Sequence, residues 1–193
     1  PATGQGKAKT KSSDDPLSKY AFLSGPENPE KKWHDTAHTE WRKGLTKTEL
    51  EAVDEYAGEG YQGINRFLRN GGNVGGAGGK ALSCRVLRDS MKPLPKELVV
   101  YRGINGDVPA FNSVGNIITD KGFVSTSVEE STARSFSYSK PKSVAHIKVR
   151  KGTRVGFANT NTEREIIVHN GARFKVTGIK EVGGVKIVEM EYV

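Results

Sequence analysis

Just past Pro93 and Pro95 the apolar residues of this chain change period, and that change constrains the fold more than any other feature. Upstream, from about Pro16 to Met91, they recur at the spacing of helix faces. Downstream they alternate, or run in short apolar stretches, as strands do. Helices gathered first and strands afterwards predict an α+β chain, not the alternating units that build a parallel sheet.

The helical part carries its own start and stop signals. Thr46-Lys47-Thr48-Glu49 is a capping box: Thr46 caps the free amides and Glu49 reaches back to the cap. Leu45 and Leu50 stand at the two positions of a hydrophobic staple. Leu50, Val53 and Ala57 point inward, and Gly58 stops the helix. A second helix spans about Tyr61–Asn70, with Ile64, Phe67 and Leu68 apolar. Six glycines in the nine residues from Gly71 to Gly79 predict a flexible connection. Val74 and Ala81 stand where a phosphate-binding loop needs Gly and Ser or Thr. A helix of about Lys80–Met91 then ends at the prolines.

In the strand half, Glu97–Gly103 reads as a central strand and Gly122–Ser127 as another. Ser127-Val128-Glu129-Glu130 has the form of a second capping box and predicts a short helix to about Tyr138. From Ser143 to Arg150, Ala145, Ile147 and Val149 share one face; His146, Lys148 and Arg150 share the other. Gly156–Thr162 reads as the loop before Glu163. Strands over Glu165–Val168, Ala172–Val182 and Val185–Val193 complete the set, with Gly183-Gly184 a two-residue hairpin turn. Residues 1–15 are polar and read as a flexible tail, leaving 16–193 as one domain.

Composition narrows the function classes. Net charge is +8, which permits attraction to nucleic acid or to acidic surfaces. Part of the excess lies at Lys7, Lys9 and Lys11, the rest is dispersed, and no nucleic-acid module is recognisable. The charge is read as solubility and steering, with no stable nucleic-acid or membrane partner. No apolar run approaches the roughly 18 residues of a membrane span. The opening Pro1-Ala2-Thr3-Gly4 carries no apolar leader, and a chain starting at Pro says little about location. The single cysteine, Cys84, excludes an internal disulfide and reads as a buried filler, with a catalytic thiol as the alternative. His34 and His38 stand at i and i+4 without the glutamate of a zinc-protease pattern. They read as a solvated helix face, and no metal site is predicted.

Three polar features interrupt the apolar strands: Tyr101-Arg102-Gly103, Ser125-Thr126-Ser127 and Glu163-Arg164-Glu165. Alternation at the mouth of a strand places Glu163 and Glu165 on one face. Two crowded carboxylates call for a cation between them, which a cationic substrate could supply. Arginine in a central strand is costly unless paired or bound to an anion, and its planar fork suits phosphate. Gly103 would let a ligand approach the backbone. The hydroxyls of Ser125–Ser127 could orient a carboxylate. Each feature alone has a plain structural explanation: an ion pair, an N-cap, an acidic strand edge. Together they describe a site for a phosphate-bearing substrate whose chemistry needs a carboxylate.

In these residues the chain resembles the mono-ADP-ribosyltransferase toxins of the Arg / Ser-Thr-Ser / Glu-x-Glu class, which includes actin-modifying binary toxins and injected bacterial effectors. The resemblance runs from about Trp41 to the C-terminus. It includes Leu45-Thr46-Lys47-Thr48-Glu49, Tyr56 and Tyr61-Gln62-Gly63-Ile64-Asn65-Arg66-Phe67-Leu68-Arg69. It implies N-terminal helices packed on two antiparallel-rich sheets around an NAD cleft. It implies that Arg102 binds an NAD phosphate and the Gly103 backbone the nicotinamide amide. Ser125 would position Glu165, and Glu165 would hold the ribose 2′-hydroxyl. Glu163 would engage an acceptor arginine. Phe136 would press on the nicotinamide, and Tyr56, Tyr61 and Asn65 would line the cleft. NAD+ is then a substrate, with no bound cofactor, and the enzyme a secreted or injected monomer acting in the host cytosol. Relatives often carry an aromatic a few residues before the first glutamate. Here Thr160 stands near that position and Phe157 too early, so the acceptor protein stays open, actin included. A glycohydrolase using water as acceptor, and a binding module without catalysis, remain as alternatives.

Overall fold

In a computed structural model that describes residues 29–106, 108–158 and 162–193, the helices do precede the strands. The helices are α1 (Pro29–Lys43), α2 (Lys47–Glu55), α3 (Tyr61–Arg69), α4 (Gly79–Ser90) and, later, α5 (Glu130–Ser135). The strands are β1 (Lys92–Pro93), β2 (Leu98–Ile104), β3 (Ile117–Asp120), β4 (Val124–Ser127) and β5 (Lys142–Val149). They continue with β6 (Arg154–Ala158), β7 (Glu165–Val168), β8 (Ala172–Val182) and β9 (Val185–Tyr192). The expected tail, residues 1–15, lies outside the described residues.

The strands follow the order β1-β6-β7-β4-β2-β5-β9-β8-β3, with β2 in the middle. Every pairing is antiparallel except β5 with β9. The two expected sheets are joined at one point. Strands β2 and β4 share a single register pair, Tyr101 with Ser127. On one side of that seam stand β1, β6, β7 and β4; on the other, β2, β5, β9, β8 and β3. The buried faces of both halves, among them Val100, Ile147, Ile166, Ile167 and Val188, pack with the helices into one apolar core.

Local signals explain most of the elements. The Thr46 amide donates to Glu49 Oε2 at 2.8 Å, and the Glu49 amide to Thr46 Oγ at 3.3 Å, which closes the predicted capping box. Gly183 and Gly184 take φ of 57° and 74°, as a tight hairpin between paired Val182 and Val185 requires. Cys84 is buried in α4, and burial pushes its thiol up to about 11, so it stays protonated and packs as a filler.

Three readings need correction, and the stop at Gly58 is not among them: Gly58 has φ −86° and ψ −129°, non-helical values that kink the chain between α2 and α3. A side chain at Gly60 would fall 2.5 Å from the Glu55 carbonyl, so only glycine allows this tight join. The glycine-rich connection is fastened, because Arg85 of α4 donates to the carbonyls of Val74 and Gly76. Ser127 caps nothing by the capping-box route: α5 begins without a side-chain cap and ends at Ser135, short of Tyr138. Finally, Gly156–Ala158 is strand, not loop. Phe157 is enclosed by the rings of Trp33, His34 and Trp41, with centroids 5.6–5.9 Å away, and Gly156 leaves room for Trp41. A contact between residues so far apart in sequence overrides the local turn signal.

Trp41 joins α1, β6 and the end of α4, where its Nε1 donates to the Ser90 carbonyl at 2.9 Å. Trp41→Ala is expected to lower unfolding free energy by about 3–5 kcal/mol. Asp54→Ala, which removes the exposed ion pair with Arg42, should change it by less than about 1 kcal/mol. Urea unfolding of the two variants checks the contrast.

Candidate active site

The seam between β2 and β4 is where the polar residues converge. A cavity of about 430 Å³ is lined there by Arg102, Ser125, Glu163 and Glu165, with Tyr56, Tyr61, Gly103 and Phe136 among its other wall residues. Arginine on the central strand is satisfied in part by its neighbour across the seam: Arg102 Nη1 donates to the Ser125 carbonyl at 2.7 Å. That bond spans the gap where β2 and β4 no longer pair.

Asn65 is placed differently from the cleft-lining position expected. It is buried behind Tyr56 and takes no part in the wall. Its Oδ1 accepts from the Phe123 amide at 2.8 Å, and its Nδ2 donates to Tyr56 Oη at 3.1 Å. Tyr56 Oη in turn lies 3.0 Å from Ser125 Oγ. A hydrogen-bonded string therefore runs from α3 to the Ser-Thr-Ser strand. Burial, with the nearby Glu165 charge adding, pushes the Tyr56 hydroxyl up to about 12. It keeps its proton at any physiological pH.

The Glu-x-Glu segment is not held by strand alternation. Glu165 is the first residue of β7, opposite Ser127, and is 7% exposed. Glu163 precedes the strand in a turn, and Arg164 between them has φ of +43°. The three consecutive carbonyls are each bound by a donor from elsewhere. Ser127 Oγ donates to that of Glu163 at 2.5 Å, and the Val128 amide to that of Arg164 at 3.3 Å. His34 Nε2 lies 2.9 Å from that of Glu165. This backbone anchoring, rather than the pleat, turns both carboxylates into one cleft.

His34 thus overturns the reading of a solvated histidine face. It is fully buried, with the His38 ring stacked 6.2 Å away. Burial lowers its pKa, and a carbonyl partner requires the proton on Nε2. Gly103 lines the cleft, and its missing side chain has a further use. A Cβ there would fall 2.6 Å from the Ala133 carbonyl, so the glycine admits the end of α5 against β2. Asn105 and Tyr138 were not singled out from the sequence, yet both line the cleft. The Asn105 carboxamide accepts from the Tyr138 amide at 2.6 Å and donates to the Phe136 carbonyl at 2.9 Å, fixing the segment that carries both rings. Only the aromatic spacing Phe136-x-Tyr138 hinted at this. Thr160 lies outside the described residues, and Phe157 is buried in β6.

Residues 30–191 match the ADP-ribosyltransferase exoenzyme family. The chain belongs to that family. Among its relatives is Vis of Vibrio splendidus, provisionally named an NAD(+)–arginine ADP-ribosyltransferase. It is 28% identical over 169 residues, covering 79% of this chain and 68% of Vis. The fold is shared with Plx2a, an ADP-ribosyltransferase toxin from Paenibacillus larvae. That match has a TM-score of 0.71 and 18% identity, over 89% of this chain and 98% of Plx2a. A structure of Vis with the inhibitor M6 matches with a TM-score of 0.69 and 23% identity, over 93% of this chain and 90% of Vis. The C2-I component of the Clostridium botulinum C2 toxin matches with a TM-score of 0.70 and 21% identity. The match takes in 83% of this chain but 47% of C2-I. The expected α+β ADP-ribosyltransferase fold is therefore the fold of this family member, and NAD+ is the substrate such enzymes use.

The buried tyrosine makes the site pH-sensitive in a defined direction. An acid whose folded pKa is raised loses its stabilising share as pH climbs from the unfolded value, near 10, to the folded one. The stability advantage of wild type over Tyr56→Phe should therefore shrink by about 1–3 kcal/mol between pH 10 and 12. Urea unfolding of both proteins across that range measures the difference.

Proposed function

We propose that this protein transfers ADP-ribose from NAD+ to an arginine of a host protein and releases nicotinamide. The observation that carries the reading is the presence of Glu163 and Glu165 in one cleft with Arg102 and Ser125. In this reading Arg102 meets an NAD phosphate and Phe136 covers the nicotinamide, whose amide the Gly103 backbone holds. Tyr56 and Tyr61 complete the NAD wall, and Asn65 fixes Tyr56 from behind.

The C1′–N bond to nicotinamide breaks with its electron pair leaving on the nicotinamide, which departs neutral. Positive charge builds at C1′. Glu165, oriented by Ser125, holds the 2′-hydroxyl and stabilises that charge from a site with little water. Glu163 pairs with the incoming guanidinium, which is protonated at physiological pH and a poor nucleophile until relieved of a proton. Glu163 takes that proton as the guanidine nitrogen bonds to C1′. Support for an arginine acceptor comes from Vis, whose structure has been determined with agmatine, a small guanidine. Export or injection by a bacterium, and action as a monomer in the host cytosol, accompany this reading. The acceptor protein is unassigned.

Labelled NAD+ with agmatine tests it. Glu165→Gln should cut nicotinamide release by about 100-fold or more. Glu163→Gln should retain most release while label on agmatine disappears. Wild-type protein that releases nicotinamide and labels no guanidine would establish a glycohydrolase and sink the transferase reading.

A further inference from the structure

The middle residue of the Glu-x-Glu segment has a task of its own. Arg164 adopts a left-handed backbone conformation, φ +43°, which non-glycine residues seldom take without support. Its side chain supplies support from two directions. Toward α1, Arg164 Nε lies 3.2 Å from Asp35 Oδ1, and Nη2 donates to Asp35 Oδ2 at 3.3 Å. Toward the segment before α5, Nη1 donates to Glu129 Oε2 at 3.0 Å. Lys31 of α1 holds the other oxygen of Glu129 at 2.9 Å. The Arg164 and Glu129 side chains are mostly covered, 18% and 16% exposed, so water competes weakly for these bonds.

We propose that Arg164 is a positioning residue for acceptor chemistry. It acts as a clasp that locks the Glu163 turn between α1 and the Ser-Thr-Ser side of the cleft. The idea rests on the reading of Glu163 as the carboxylate that meets the guanidinium. Glu165 is held separately, by strand pairing with Ser127 and by His34 at its carbonyl. The Glu163 carbonyl accepts from Ser127, and the residue stands in the turn just ahead of β7. Beyond the backbone bonds to Ser127 and Val128, the fork of Arg164 ties that turn to α1 and to the segment before α5. Loss of the clasp therefore displaces Glu163 more than Glu165. A small displacement of a positioning group is enough to cost about 10- to 100-fold in rate.

Two variants separate the clasp from backbone comfort. Arg164→Gly removes the guanidinium while making φ +43° easy for the backbone. Asp35→Asn combined with Glu129→Gln leaves Arg164 in place and removes both anions. In each, the ratio of agmatine labelling to nicotinamide release should fall about tenfold or more. Amide hydrogen exchange from Thr162 to Ile166 should quicken while exchange in β2 and β5 stays as in wild type. Arg164→Lys, which keeps the charge but not the fork, should recover part of the ratio. Arg164→Gly with the wild-type ratio and wild-type exchange would overturn the clasp. Should Arg164→Gly fail to fold, the Asp35→Asn/Glu129→Gln protein decides by the same two measurements. If wild type labels no guanidine at all, the acceptor reading fails, and the exchange measurement still decides whether Arg164 holds the turn.

Discussion

The site depends on three carbonyl oxygens. Those of Glu163, Arg164 and Glu165 are bound in succession by a serine hydroxyl, a backbone amide and a buried imidazole. The first two donors come from the end of β4 and the residue after it; the third comes from α1. Two carboxylates cannot be brought into one half-buried cleft cheaply, since each resists both the other and the loss of water. Fixing the backbone beneath them moves that cost onto hydrogen bonds made elsewhere. It also explains why helices from the start of the chain must be present before the carboxylates of its last third are correctly placed.

The seam in the sheet is the second requirement. A continuous sheet would have paired β2 with β4 along their lengths and buried Arg102 and Ser125 among ladder bonds. Pairing at Tyr101 with Ser127 alone lets the strands part. Arg102 bridges the opening through the Ser125 carbonyl, and its remaining donors can face an anion. Gly103 then lets the end of α5 lie directly on β2, which brings Phe136 to the rim. Charge, opening and aromatic cover all follow from where the two halves stop pairing.

Much of this was legible in the residues because it is local. The Thr46–Glu49 box, the Gly183-Gly184 turn and the central strand around Arg102 are each encoded within a few positions, and the structure follows them. Arg102, Glu163 and Glu165 could be singled out from their chemistry, since arginine and paired glutamates among apolar strands are expensive without a purpose; Tyr56, Tyr61 and Phe136 came from the resemblance alone. What the sequence hid was long-range. His34 meets a carbonyl 131 residues away, and no spacing rule links those positions. The resemblance implies Asn65 as a cleft residue, yet it serves from behind Tyr56. The alternation argument for Glu163 and Glu165 reached the correct juxtaposition by a mechanism the fold does not use. A positive φ at an arginine is invisible in the sequence, because local preference argues against it.

The two carboxylates are held by different means, and on the proposed reading the difference suits a two-stage reaction. Glu165 sits at 7% exposure, at the start of a strand whose four residues are all buried. Nearby, Asn65 and Tyr56 are buried, and their hydrogen-bonded string reaches the half-buried Ser125 of the cleft wall. On the proposed reading Glu165 is where a developing cation must be met without reorganisation. Glu163 is half-exposed and precedes the strand, with its position set by side chains that reach in from α1 and from beside α5. NAD+ presents the same atoms at every turnover, whereas a protein acceptor brings its own surface. On the proposed reading, a buried carboxylate for the first and a clasped but accessible one for the second divide the reaction along that line.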